Sequence, residues 1–178
     1  MLFSSAVGFV CGYGTSKATV AAFSGIERDK SEGFFKISQI ASSAVMAFMH
    51  GAQDTQKFAG VLTLEMLMMG GGRAGEWVFP VCAVIMSLGT ALGGGRIIKT
   101  VGIDMIKMQT YQGFAADVAG GFCLFLSTVF GFPVSTTHTK TTAVMGVGAA
   151  KSLRSVDWSV AGDMAAAWIF TFPGCGIL

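Results

Sequence analysis

Long apolar runs separated by short polar ones divide the chain into candidate helices. Met1–Tyr13 is apolar and reads as the end of a spanning helix. Gly14–Ser31 carries the charge run ERDKSE and reads as a solvent loop. Glu32–Met49 is a helical stretch whose apolar residues include Phe35, Ile37, Ile40, Ala44, Val45 and Phe48. The polar sequence HGAQDTQK at His50–Lys57 interrupts it, and Phe58–Met69 continues as a second half-helix. GGGRAGE at Gly70–Glu76 reads as a turn. Trp77–Leu92 is the cleanest spanning candidate, with Trp77 as an interfacial anchor and Pro80 tolerable near its start. Gly93–Gln112 is polar and basic, and the glycine runs Gly70–Gly72 and Gly93–Gly95 read as turns. Lys151–Asp157 is a short basic loop before a last span, Trp158–Leu178.

Between these lies Gly113–Ala150, apolar except for one block, GFPVSTTHTK at Gly131–Lys140. Lipid solvates neither its hydroxyl and imidazole side chains nor the backbone of an unwound turn. Such groups are buried in protein or line a water-filled cavity, where a polar solute binds. Pro133 places the start of a half-helix just beyond it, at Ser135, Thr136 and Thr137.

Composition supports a polytopic membrane protein. The chain is 52% hydrophobic and 12% charged, against about 25% charged in soluble domains, and its mean hydropathy is +0.64. Its 25 glycines suit close helix packing in a bilayer. The net charge of +2 excludes a nucleic-acid footprint. Cys11, Cys82, Cys123 and Cys175 are widely spaced in apolar runs, without CxxC, and read as free buried thiols rather than disulfide or metal ligands. Met1–Tyr13 lacks a basic flank, which argues against a signal peptide. Both ends stop within apolar sequence. The expectation is a single membrane domain, residues 1–178, that is a piece of a longer transporter or needs another half.

Charge asymmetry bears on topology. If Gly113–Ala150 is a re-entrant hairpin, then Lys17, Arg28, Lys30, Lys36, Arg96, Lys99, Lys107, Lys151 and Arg154 share one side, and Arg73 lies opposite. If the segment crosses, Lys151 and Arg154 change sides. The positive-inside rule favours the hairpin and makes the basic loops cytoplasmic.

Two interrupted apolar segments are the sequence pointer to a transporter site near the midplane. Free N–H groups and hydroxyls at the Ser135–Thr137 turn suit a tetrahedral oxyanion. Asp54 and Gln53 offer the oxygen ligands a hard cation prefers. Competing readings are structural. Serine and threonine in membrane helices bond the preceding turn; His50 and His138 are candidate packed residues that support the site; Asp54 has a local partner in Lys57, one turn away. A carboxylate at membrane depth is costly, which puts Asp54 ahead of Asp117, Asp163 and Glu65, each placed nearer an interface or a local partner.

PVSTTH followed by AVMGVGAA resembles the second signature of the inorganic phosphate transporter (PiT) family. HGAQDTQKFAG resembles that family's other signature, HGANDVANA, in the bacterial HGxNDAQKxxG form. The order of the intervening GGGRIIKTVG and GFAADVAGG is also similar, and the likeness covers essentially the whole chain as the second of two inverted repeats. It implies an all-α, polytopic membrane protein: half of an inverted-repeat transporter with a broken helix and a re-entrant helical hairpin. It further implies phosphate contacts from Ser135, Thr136 and Thr137, with Gln56 and Lys57 matching the bacterial variant. Asp54 and Gln53 would serve the coupling cation, Na+ or H+, and no cofactor is implied. Gln53 stands where the family has Asn.

The leading expectation is therefore a cation-coupled phosphate symporter of the cytoplasmic membrane, completed by the missing N-terminal repeat or a second chain, a homodimer included. The rivals are a sulfate permease of the same fold, a non-transporting assembly subunit, and an intramembrane hydrolase using Ser135 and His138, for which no third, orienting group is evident.

Overall fold

The computed structural model describes residues 2–25, 28–70 and 75–177. Among them the regular structure is helical: α1 (Leu2–Phe23), α2 (Arg28–Met68), α3 (Val78–Lys99), α4 (Thr110–Val129), α5 (Thr136–Lys151) and α6 (Trp158–Ile177). A π-helical turn, Thr100–Asp104, extends α3, and a 3-10 turn, Leu153–Ser155, follows α5. Among the described residues three helices are long and apolar enough to cross a membrane: α3 through Val78–Gly95, α4 and α6.

Three expectations about helix boundaries fail. The Gly14–Ser31 loop is helical as far as Phe23, and helix resumes at Arg28. Its polar residues serve the helix: Thr15 donates to the Cys11 carbonyl and Thr19 to the Thr15 carbonyl, the back-bonding open to threonine in a helix. Gly93–Gly95 lies inside α3 rather than in a turn. The expected break at His50–Lys57 is absent, because α2 runs unbroken for 41 residues. Its length, about 60 Å, is twice the hydrocarbon thickness of a bilayer. His50, Asp54 and Lys57 pair within the helix and Gln53 finds partners at the end of α4 and beyond it, so no unwinding is needed to satisfy them. At Gly70 the backbone turns with φ 75° as expected, while residues 71–74 of the Gly70–Glu76 turn lie outside the described residues.

α1 and α5 pack at backbone distance. A Cβ on Gly12 would overlap the Ala143 carbonyl, and one on Gly146 would overlap the Phe9 carbonyl. This is small-residue packing of the kind membrane helices use. Thr15 also donates to the Ala115 carbonyl, tying α1 to α4 at 3.1 Å. At one end Phe23, Phe34 and Phe35 cluster with Tyr111 and Phe114, joining α1, α2 and α4. Val101, Met105, Ala115, Val144, Val147 and Ala161 form the main core between the π-helical turn, α4, α5 and α6.

α4 and α5 fold back on each other, with Gly120 beside Lys140, and Ile106, just before α4, packs beside Gly148. The sequence GFP makes this reversal. Gly131 adopts φ 69° after Phe130 caps α4. The Phe132 N–H then bonds the Ser127 carbonyl and the Gly131 N–H the Thr128 carbonyl, a Schellman closure. Pro133 follows, and Ser135 opens α5 as its N-cap, accepting from the His138 N–H at 3.4 Å. The half-helix start expected after Pro133 is therefore present.

Candidate functional site

α2 supplies the carboxylate. One helical face brings His50, Asp54 and Lys57 together at spacings of four and three. Lys57 Nζ donates to Asp54 Oδ1 at 2.9 Å, and His50 Nε2 lies 3.2 Å from Oδ2. The Asp54 side chain is 17% exposed. From α5, Thr136 Oγ1 donates toward both Asp54 oxygens at 3.2 Å. Residues 82 apart in sequence thus meet at one carboxylate, which a nearby lysine offsets in charge.

Gln53, buried beside Asp54, makes the second link. Its Nε2 donates to the Phe132 carbonyl at 3.1 Å, and its Oε1 accepts from Thr128 Oγ1 at 2.6 Å. One side chain therefore ties α2 to the last turn of α4 and to the reversal that carries the threonine block. We expect Gln53→Asn, one methylene shorter, to lose at least one of these bonds. That costs about 1–2 kcal/mol, readable as a lowered unfolding temperature in detergent.

The other sequence candidates are placed differently. Ser135 is the half-buried cap of α5. Thr137 and Gln56 are exposed. His138 is buried with its ring 3.9 Å from that of Trp168 on α6, and its Nδ1 has no hydrogen-bond partner among the described residues. The structure thus gathers Asp54, His50, Lys57, Thr136 and Gln53, and leaves Thr137, Gln56 and His138 outside that group.

A second carboxylate cluster escaped sequence reading. Asp117 on α4 is buried within the protein. Its Oδ2 accepts from Gln39 Nε2 at 2.9 Å and from Ser43 Oγ, and Lys140 Nζ lies 3.6 Å from its Oδ1. Its α2 partners lie 74 and 78 residues away, so only the serine and glutamine within α2 hinted at them. The thiols are free; Cys82 and Cys123 are buried as expected, but Cys11 is half-buried and Cys175 exposed.

A sequence model of the phosphate transporter family matches residues 3–178. The chain belongs to the phosphate transporter family. It is 37% identical over 150 residues to a "probable low-affinity inorganic phosphate transporter" of Rhizobium meliloti, covering 81% of this chain and 44% of that protein. A Bacillus subtilis protein of the same description is 33% identical over 177 residues, covering 97% of this chain and 53% of its own length. One from Mycobacterium tuberculosis is 36% identical over 159 residues, covering 86% and 38%. The chain thus spans about half the length, or less, of these curated relatives. No solved structure matches it. Phosphate transporter family membership removes the hydrolase reading. Ser135 and His138 accordingly meet as a helix cap, through the His138 backbone N–H rather than its ring.

Proposed function

We propose that this chain forms one half of an inorganic phosphate transporter of the cytoplasmic membrane, driven by cation symport with Na+ or H+. The observation that carries the reading is the Thr136–Asp54 contact, with Lys57 and His50 around the same carboxylate. It puts hydroxyl donors, a cation and an anion within one small volume at the start of a helix. Phosphate bears acidic and ionised oxygens together, so a donor-plus-acceptor site suits it. Sulfate bears no proton at neutral pH and leaves a carboxylate acceptor without a partner, which ranks the sulfate reading second.

Symport follows from local charge. Lys57 offsets Asp54, so the cluster offers little net positive charge to an anion. A coupling cation entering beside Asp54 and Gln53 supplies it, and the anion then enters with less electrostatic cost. Thr136, freed from Asp54, turns its hydroxyl to the phosphate, and Ser135 and Thr137 add donors at the helix start. Thr137 is exposed on the isolated chain, where the complementary half, an inverted repeat or a second chain, would meet it. The α4–α5 hairpin enters and leaves on one side, which keeps the basic loops cytoplasmic.

Radiolabelled phosphate uptake into proteoliposomes by the assembled transporter tests this reading. Uptake that depends on an inward Na+ or H+ gradient and resists excess sulfate is the expected result. Gradient-independent uptake would remove symport, and sulfate uptake at equal efficiency would move the assignment to the rival anion.

A further inference from the structure

α5 presents two polar side chains one turn apart to α2 and α4. Thr136 reaches Asp54, and Lys140 reaches Asp117. The two contacts differ in firmness. Lys140 Nζ stands 3.6 Å from Asp117 Oδ1, and its side chain is 44% exposed while that of Asp117 is 7% exposed. Asp117 is held from α2 by Gln39 and Ser43 on its other oxygen. The carboxylate therefore keeps two donors when Lys140 leaves. Lysine has a flexible four-carbon stem and three rotatable donors. Side chains at i and i+4 have Cβ atoms about 5–6 Å apart, so a rotamer change brings the ammonium to an anion at the Thr136 hydroxyl. Lys57 is less free to do this, because it holds Asp54 at 2.9 Å.

We propose that Lys140 is a further phosphate-binding residue: its ammonium rests on Asp117 and swings to the anion held at Thr136. The inference rests on the phosphate reading above. It gives Asp117 the role of a parking site, fixed by α2, that keeps the lysine oriented toward the pocket between uptake cycles. It also supplies the positive charge that the Asp54–Lys57 pair has already spent on itself.

The test uses radiolabelled inorganic phosphate and the assembled transporter in proteoliposomes. Lys140→Met is expected to raise the phosphate KM about tenfold, the loss of about 1.4 kcal/mol of binding, while Lys140→Arg keeps KM near the wild-type value. Removing both charges, Lys140→Met with Asp117→Asn, leaves no unpaired buried carboxylate and keeps the raised KM. A wild-type KM in Lys140→Met overturns the proposal. So does recovery of the wild-type KM in the double variant, which would make Lys140 only the structural partner of Asp117. If the wild-type transporter shows no saturable phosphate uptake, the phosphate reading falls, and this inference with it.

Discussion

Asp54→Asn is expected to cut phosphate uptake by roughly 30- to 150-fold, with the protein still present in the membrane. The substitution keeps size and one carbonyl oxygen but removes the charge. Lys57 and His50 then face an amide in place of a carboxylate, and Thr136 loses its charged acceptor. Breaking a fully buried ion pair costs about 3–5 kcal/mol. Asp54 is 17% exposed, so water offsets part of that, leaving about 2–3 kcal/mol at 1.36 kcal/mol per decade. In the proposed symport the effect falls on transport, because the coupling cation would enter at the same carboxylate. Initial uptake rates, normalised to the amount of transporter in the vesicles, check it. Asp54→Glu, which retains the charge at a longer reach, is expected to lose less. Undiminished uptake by Asp54→Asn would remove Asp54 from the site.

Gly12→Val is expected to give the largest loss of stability. The added side chain would have to occupy the space of the Ala143 carbonyl on α5. Backbone of a packed helix cannot rotate aside as a side-chain tip can. The helices would have to separate, opening the contact that Gly146 makes with Phe9 from the other side. Overpacking costs about 1–3 kcal/mol when neighbours adjust, and here the neighbour is main chain, so the upper end applies. A loss of about 3 kcal/mol corresponds to a fall of about 6–12 °C in Tm for a protein of this size. Gly14→Val is the matched control, because nothing lies within 4 Å of a Cβ built at Gly14. Thermal unfolding of both variants in detergent decides the matter. Equal Tm values would show that the α1–α5 approach is not close.

Because α5 carries Thr136 and Lys140, the same packing holds these residues in register against α2 and α4. The polar run at His50–Lys57 suggested unwound backbone, as lipid demands partners for every polar group. A helix satisfies its own backbone, and here it also pairs His50, Asp54 and Lys57, which lie at three- and four-residue spacings. The same local bonding hid the helical character of Gly14–Phe23, whose threonines return their hydroxyls to the preceding turn.

The reversal at Gly131 and the α5 start were legible because glycine, proline and serine act locally. So were the apolar segments that became α3, α4 and α6. Contacts across 74 to 82 residues were not legible by the same means. Nothing in a single sequence says that Thr136 rather than Thr137 turns toward Asp54, since both follow the same proline. That choice is made by the rotation of α5 against α1, which the small residues at Gly12, Ala143 and Gly146 set. The partners of Asp117 were hidden for the same reason, lying 74 and 78 residues away on α2.

In the proposed reading, phosphate is held where Thr136 meets Asp54. Equilibrium binding of radiolabelled phosphate to the purified, assembled transporter tests it most directly, comparing wild type with Thr136→Val. Valine matches the shape of threonine and removes only the hydroxyl. One lost hydrogen bond to a charged group, about 1.5–3 kcal/mol, predicts at least tenfold weaker phosphate binding. Unchanged phosphate affinity in a folded Thr136→Val transporter would contradict it.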